Sequence, residues 1–370
     1  MNPYATLEDH AFWRKAVSSF EPWDIDPIVE SSLRMNRTTK IATAGSCFAQ
    51  RIAHELKERS FNYFVTETHT NQEADAGFYE LFSAAYGNIY TTRQLYQLMQ
   101  RAFGLAQPRI DHWINNDGRY VDAFRPGLCE RGFESLDTLE ELRKQHFRSV
   151  RKLFQETEVF IFTLGLTEIW RAEDGFVAPV IPGVAGCDNH SSQYGFYNLS
   201  VAEMSSDLLK FMDDLRALNP KVEVLLTVSP VSIIATYEDR HVVVSNAYTK
   251  SALRVVAEEA IRARQFIHYF PSYEIVTSPA TKGVYLDDDR RKVNADGIDV
   301  VMSQFSKHYL SGELESSPAA RIKEDQARAP AFNSVRQAAL QSNWELEELV
   351  RSEHRQIAKI VCDEEMLDRV

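Results

Sequence analysis

The chain has few cysteines, no long apolar run and no excess of positive charge. Cys47, Cys129, Cys187 and Cys362 are its four cysteines, too few and too scattered for a disulfide framework. None is spaced as Cys-x-x-Cys, so the usual signature of a structural zinc site is missing and no metal is expected. No stretch approaches the roughly 20 apolar residues that a membrane helix requires. Lys and Arg number 41 against 53 Asp and Glu, a net charge of −12. Bulk affinity for nucleic acid or anionic lipid draws on clustered basic residues, so neither partner is expected. The opening MNPYATLEDHAFW lacks a basic segment followed by an apolar one, so no secretion signal is expected. Together with the scattered thiols, this predicts a cytoplasmic protein.

Glycine (15) and proline (13) are too sparse, and aromatics at 11% too frequent, for a disordered or fibrous chain. What remains is enough apolar material for one large core or two domains. Short apolar runs alternate with segments of helical period. Residues 40–44 (KIATA), 158–164 (EVFIFTL), 221–228 (KVEVLLTV) and 265–270 (QFIHYF) read as strands. Helices are predicted after Cys47 and over 139–154, 201–218, 247–264 and 296–309. Unbroken apolar strands separated by helices predict an α/β domain, a doubly wound and mostly parallel sheet over residues 35–310. Residues 1–34 form an N-terminal extension, and 62–135, rich in aromatics, Gly and Asn, an insertion expected to be a cap or an active-site wall. A Ser-, Pro- and charge-rich linker follows over 311–332. The last segment, 333–370, reads as a helical tail whose Trp344, Leu346, Leu349 and Val350 would pack on the core or across a homodimer.

In open α/β sheets the ligand site lies beyond the carboxyl ends of the strands. Three such places carry reactive groups. Gly45 permits a sharp turn, after which Ser46 or Cys47 sits in the first turn of a helix, where a thiolate or oxyanion is favoured. The plainer reading of the same residues is Ser46 as a helix cap and Cys47 as a small buried side chain. Backbone amides around Gly165 and the Thr167 hydroxyl read as oxyanion donors, or as an ordinary glycine turn. His241, near the end of the third strand's loop, reads as a general base or as a structural histidine, with His190 and His268 as competitors.

The string Gly45-Ser46-Cys47-Phe48-Ala49 resembles the signature of the GSCFA family. So do Gly87-Asn88-Ile89-Tyr90-Thr91, Asp122-Ala123-Phe124-Arg125-Pro126 and Phe162-Thr163-Leu164-Gly165-Leu166-Thr167-Glu168, as well as the segments 226–231 and 269–274. The resemblance covers about residues 41–305. It implies a relation to SGNH (GDSL-like) esterases and acyltransferases with a flavodoxin-like sheet. On that pattern Cys47 takes the nucleophile's place, or Ser46 if the register slips by one. Gly87 and Asn88 stand at the second-block oxyanion position. Thr167 stands where the third block carries Asn. The last block, Asp-x-x-His, falls on Asp289 to Lys292 and lacks its histidine, which leaves His241 as the substitute base. A cysteine needs a base less than a serine does, because part of it is already thiolate near neutral pH. The resemblance therefore implies an acyl-ester hydrolase or O-acyltransferase acting on an acetylated sugar or glycan, with Tyr86, Tyr90, Trp113 and Tyr120 as candidate lining. No bound cofactor is required, and a coenzyme A thioester is an acceptable acyl donor. The alternative is an inactive α/β module that binds a glycan or a protein through the same cleft.

Overall fold

A computed structural model describes residues 2–181, 183 and 187–311. The linker beyond Ser311, the tail over 333–370 and Cys362 lie outside the described residues. By compactness the described chain divides into two units: Met35–Tyr273 is one, and the N-terminal residues to Arg34 join residues 274–311 in the other.

The first unit is built on four parallel strands, β1 (Ile41–Gly45), β2 (Val159–Leu164), β3 (Glu223–Val228) and β4 (Ile267–Tyr269), side by side in that order. A single parallel bridge between Tyr63 and Ile41 adds the start of a further strand outside β1. Counted along the chain, the order across the sheet is 2-1-3-4-5, the flavodoxin-like doubly wound arrangement. Every residue of β1 and β2, and five of six in β3, is buried, so both faces of the sheet are covered. Three of the four strands lie within the runs expected from sequence, and β1 runs one residue past its own, to Gly45.

Helix α1 (Cys47–Glu58) packs on β1 and β2. The helices α2 (Thr92–Ala102), α3 (Leu136–Glu156), α4 (Val201–Leu218) and α5 (Val242–Ala263) pack against one another, and α5 lies on β3 and β4. Their apolar stripes share one core with Ala42, Ala44, Phe160, Phe162 and Leu226. Helix α2 falls within 62–135, the segment read as an insertion. Thr91 and Gln94 close a capping box, and Leu95, Leu98, Met99 and Ala102 put that helix into the main core. The antiparallel pair His112–Ile114 and Tyr120–Asp122 also falls within 62–135, and Trp113 is wholly buried there. Past β2, a small antiparallel sheet of Glu168–Ala172, Val177–Ala178 and Tyr194–Asn198 had no counterpart in the sequence reading.

In the second unit, α6 (Ala295–Tyr309) gathers the N-terminal segment: Gln304 donates to Ile25 O at 2.8 Å, and Lys307 and His308 each reach Asp26 at 2.7 Å. No helix among the described residues is long and apolar enough to cross a membrane.

Candidate functional site

Because β1, β2 and β3 run parallel, the loops that follow them leave from one edge of the sheet. The chain reverses its winding between β1 and β2, and a crevice is expected at that point. Gly45 closes β1 with φ +142°, and a Cβ there would stand 2.5 Å from Thr163 O and 2.7 Å from Thr163 Cβ. Only glycine fits that backbone and that space. The turn delivers Ser46 and Cys47 to the edge. Ser46 occupies the N-cap position of α1, yet its side chain caps nothing. Its hydroxyl, on a residue 5% exposed, is buried without a hydrogen-bond partner, so the expectation of a simple capping serine fails. Cys47 opens α1 and is half-buried. Arg51, one turn further on, has its pKa lowered by burial while Cys47 pulls it back up, so guanidinium and thiolate attract each other.

The loop before α2 forms the next wall. Ile89 N donates to Gly45 O at 2.9 Å, and Asn88 Oδ1 accepts from Gln50 Nε2 at 3.0 Å, which ties this loop to β1 and α1. Gly87 adopts φ +75° with Phe78 3.3 Å from where its Cβ would be. Tyr90 O accepts from both Gly165 N and Leu166 N at 3.0 Å. Those two amides are therefore committed inside the fold, which removes them as the oxyanion donors expected around Gly165. A Cβ on Gly165 would come within 3.1 Å of Ser46 Cβ and 3.3 Å of Tyr90 O, so this glycine lets the two loops meet.

Two consecutive residues of α5 hold the loop after β2. Lys250, only 1% exposed, places Nζ 3.3 Å from Gly165 O, and Thr249 Oγ1 lies 3.1 Å from the Oγ1 of the wholly buried Thr167. Glu168 accepts from Thr236 Oγ1 at 2.5 Å and from Tyr237 N at 3.0 Å, fixing the loop between β3 and α5. His241 ends that loop as the exposed N-cap of α5, where its Nδ1 accepts from Val243 N at 3.2 Å. Only Nε2 is left to carry a proton. Of its competitors, His190 Nε2 accepts from Ile114 N at 3.1 Å, and His268 pairs with Glu223, the first residue of β3, at 2.8 Å. Asp289, in the other unit, accepts from Arg291 N and Lys292 N at 2.8 and 2.9 Å and so shapes a turn.

Tyr90, Leu166, Thr249, Ile233 and Trp170 border a cavity of about 100 Å³. A smaller one of about 30 Å³ adjoins it through Gln94 and Pro179 and is lined by Tyr86, Asn88 and His146. Here sequence reasoning missed a buried charge cluster. His146 Nδ1 lies 2.6 Å from Glu67 Oε2, Arg125 stands 3.6 Å from Glu67 Oε1, and Arg125 and Asp122 pair at 3.0 Å. Burial drives the His146 pKa down, with Glu67 opposing. Burial acts to raise Glu67, but His146 and Arg125 outweigh it and leave the carboxyl below its usual range. Arg125 and Arg143 do the same for Asp122, well below that range. The Asp122–Arg125 spacing is local and legible, whereas Glu67 and His146 stand 79 residues apart and leave no signal. Among the described residues no cluster of three or more His, Cys, Asp or Glu could hold a metal ion.

The family model described as GSCFA family matches residues 40–305. No curated protein matches the chain. Among solved structures, the chain is similar to a GDSL-like lipase from Parabacteroides merdae ATCC 43184, with 12% identity and a TM-score of 0.32, over 75% of this chain and 98% of that one. It is also similar to a carbohydrate esterase family 2 enzyme plus carbohydrate-binding domain from Corynascus thermopiles (Myceliophthora fergusii). There the identity is 13% and the TM-score 0.27, over 76% of this chain and 68% of that one.

Proposed function

This chain belongs to the GSCFA family, and from that premise we propose that it is an acyl-ester hydrolase or O-acyltransferase with Cys47 as its nucleophile. The observation that carries the reading is the turn at Gly45, which puts a half-buried thiol at the start of α1 where the sheet reverses its winding, with Arg51 beside it. The thiolate attacks the acyl carbonyl and the C–O bond to the alcohol breaks. The thiol proton passes to His241, whose imidazolium, no longer accepting from Val243 N, returns it to the departing alcohol, and an acyl thioester stays on Cys47. Water then releases the acid, or a second alcohol takes the acyl group. Gly87 and Asn88 supply oxyanion donors, while the Thr167 hydroxyl, wholly buried and paired with Thr249, holds the loop behind them.

The cavity supports a small acyl group. Tyr90 and Leu166, from the two loops that meet beside Ser46, border a space of about 100 Å³ that suits an acetyl or similar group. Trp170, whose ring lies 4.8 Å from that of Tyr237, gives the rim an aromatic face on which a sugar ring can pack. The donor is an acetylated glycan for hydrolysis, or an ester or coenzyme A thioester for transfer.

A second reading, a non-catalytic module that binds a glycan or a protein, is favoured by Lys292 at the Asp-x-x-His position and by the capping role of His241. Acetate release from acetylated xylan, followed by NMR for the wild type and Cys47→Ala, separates the two. Loss of at least about a thousandfold in the variant supports the enzyme. Absence of release by the wild type, with acetylated xylan or with acetyl-coenzyme A and a sugar acceptor, supports the module.

A further inference from the structure

A third, larger cavity of about 690 Å³ opens between the C-terminal end of α2, the chain that follows it and α3. It takes no part in the chemistry proposed above. Its charged lining is Arg101, Arg143, Lys144 and Arg151 against Asp111 and Glu140, an excess of 4 − 2 = +2 in a chain of net charge −12. Asp111 is already committed, to Arg143 Nη1 at 2.5 Å and to His112 Nδ1 at 2.7 Å.

Arg101 is the anomaly. The residue is 8% exposed, and its guanidinium lies 3.5 Å from the ring centre of Phe124 and 5.2 Å from that of Phe147. It makes no side-chain hydrogen bond and no ion pair with any described residue. A guanidinium carries five donors in a rigid fork, and here no carboxylate of the described residues meets that fork at hydrogen-bond distance. Burial drives its pKa down; Asp122 and Asp111 oppose this, while Arg143 and Arg125 add to it. The side chain borders both this cavity and the small polar one behind it. Arg143 contributes a buried unsatisfied donor: its Nε has no hydrogen-bond acceptor among the described residues and stands 3.7 Å from Asp122.

We propose that this cavity binds a small molecule bearing a phosphate group. The phosphate sits on the guanidinium of Arg101, Arg143 and Arg151 flank it, Lys144 guards the rim, and the apolar part of the ligand packs on Phe103 and Phe147. Three features carry this. The fork of Arg101 matches a phosphate edge in the bidentate manner. The excess of two positive charges balances a dianionic phosphate ester better than a single carboxylate. The volume lies within the range of pockets that enclose small organic ligands.

Phenyl phosphate is the probe, titrated calorimetrically into the full chain at constant ionic strength, with phenol and inorganic phosphate as controls. Saturable binding of one phenyl phosphate is expected, with phenol giving none and inorganic phosphate binding more weakly. Arg101→Met should weaken binding by about tenfold or more. The melting temperature of that variant is read alongside, since Arg101 also attracts Asp111 and the buried Asp122. Lys144→Glu changes an exposed residue and should weaken binding by roughly threefold. If Arg101→Met does not fold, Lys144→Glu decides. Phenyl phosphate binding no tighter than phenol, or variants that bind as tightly as the wild type, would overturn the proposal.

Discussion

Replacing Gly45 by alanine strikes at the turn on which the site is built. At φ +142° an alanine is strained by about 1–3 kcal/mol. Its Cβ would also stand 2.5 Å from Thr163 O, 2.7 Å from Thr163 Cβ and 2.8 Å from Thr163 N. Those atoms belong to the middle of a parallel sheet, where Gly45 and Thr163 face each other across β1 and β2, so neither strand can give way cheaply. Forcing extra volume into such a place costs about another 1–3 kcal/mol. The sum, about 2–6 kcal/mol, is a large share of the about 5–15 kcal/mol that holds a folded domain. Urea unfolding followed by circular dichroism should show a lower midpoint with an unchanged slope. The clashing atoms suggest a control. Thr163→Ala leaves O, Cβ and N in place, so the Gly45→Ala/Thr163→Ala double variant should be no more stable than Gly45→Ala. A single variant within about 0.5 kcal/mol of the wild type would refute the reasoning, since that is the ordinary range of inert surface changes.

Iodoacetamide at a sub-stoichiometric dose should label Cys47 before Cys129 and Cys187, which are buried, as peptide mapping would read; burial also pushes the Cys129 pKa up. Stability should fall in acid in two stages. The lowered His146 pKa means that its contribution is fully present above about 6.5 and is lost as pH falls through that value toward the folded pKa. The contribution of Glu67 is present above 4.5 and is lost as pH falls further. Urea midpoints between pH 7.5 and 4, taken at about half-unit steps, should lose the first stage in His146→Gln; an unchanged profile would contradict the assignment. Asp122→Asn breaks buried pairs with Arg125 and Arg143 and should cost about 3–5 kcal/mol, against which a loss below about 1 kcal/mol would count.

The four strands were legible because a strand buried on both faces of a parallel sheet leaves an unbroken apolar run, as Val159–Leu164 does. Helix α4 was legible over its full length, 201–218, since Ser200 and Glu203 mark its start and Asn219 its end. The small sheet past β2 was not, because its strands are only two to five residues long and their burial follows no regular alternation, so no period registers. Gly45 pointed to the site because one residue type answers one backbone requirement. Lys250 gave no warning: a lysine in a helix ordinarily faces water, and nothing local announces that Gly165, 85 residues earlier, supplies its acceptor. The same holds for Arg101, whose burial comes from Phe124 and Phe147 on other segments.

The central claim is that Cys47 carries the acyl group. Incubating the protein with 4-nitrophenyl acetate, quenching in acid and mapping peptides by mass tests it directly. The account predicts one acetyl group on Cys47 in the wild type and in Ser46→Ala, and none at that site in Cys47→Ala. Acetylation of Ser46 that persists in Cys47→Ala would contradict it, as would the absence of an adduct on either residue under conditions in which the ester is turned over.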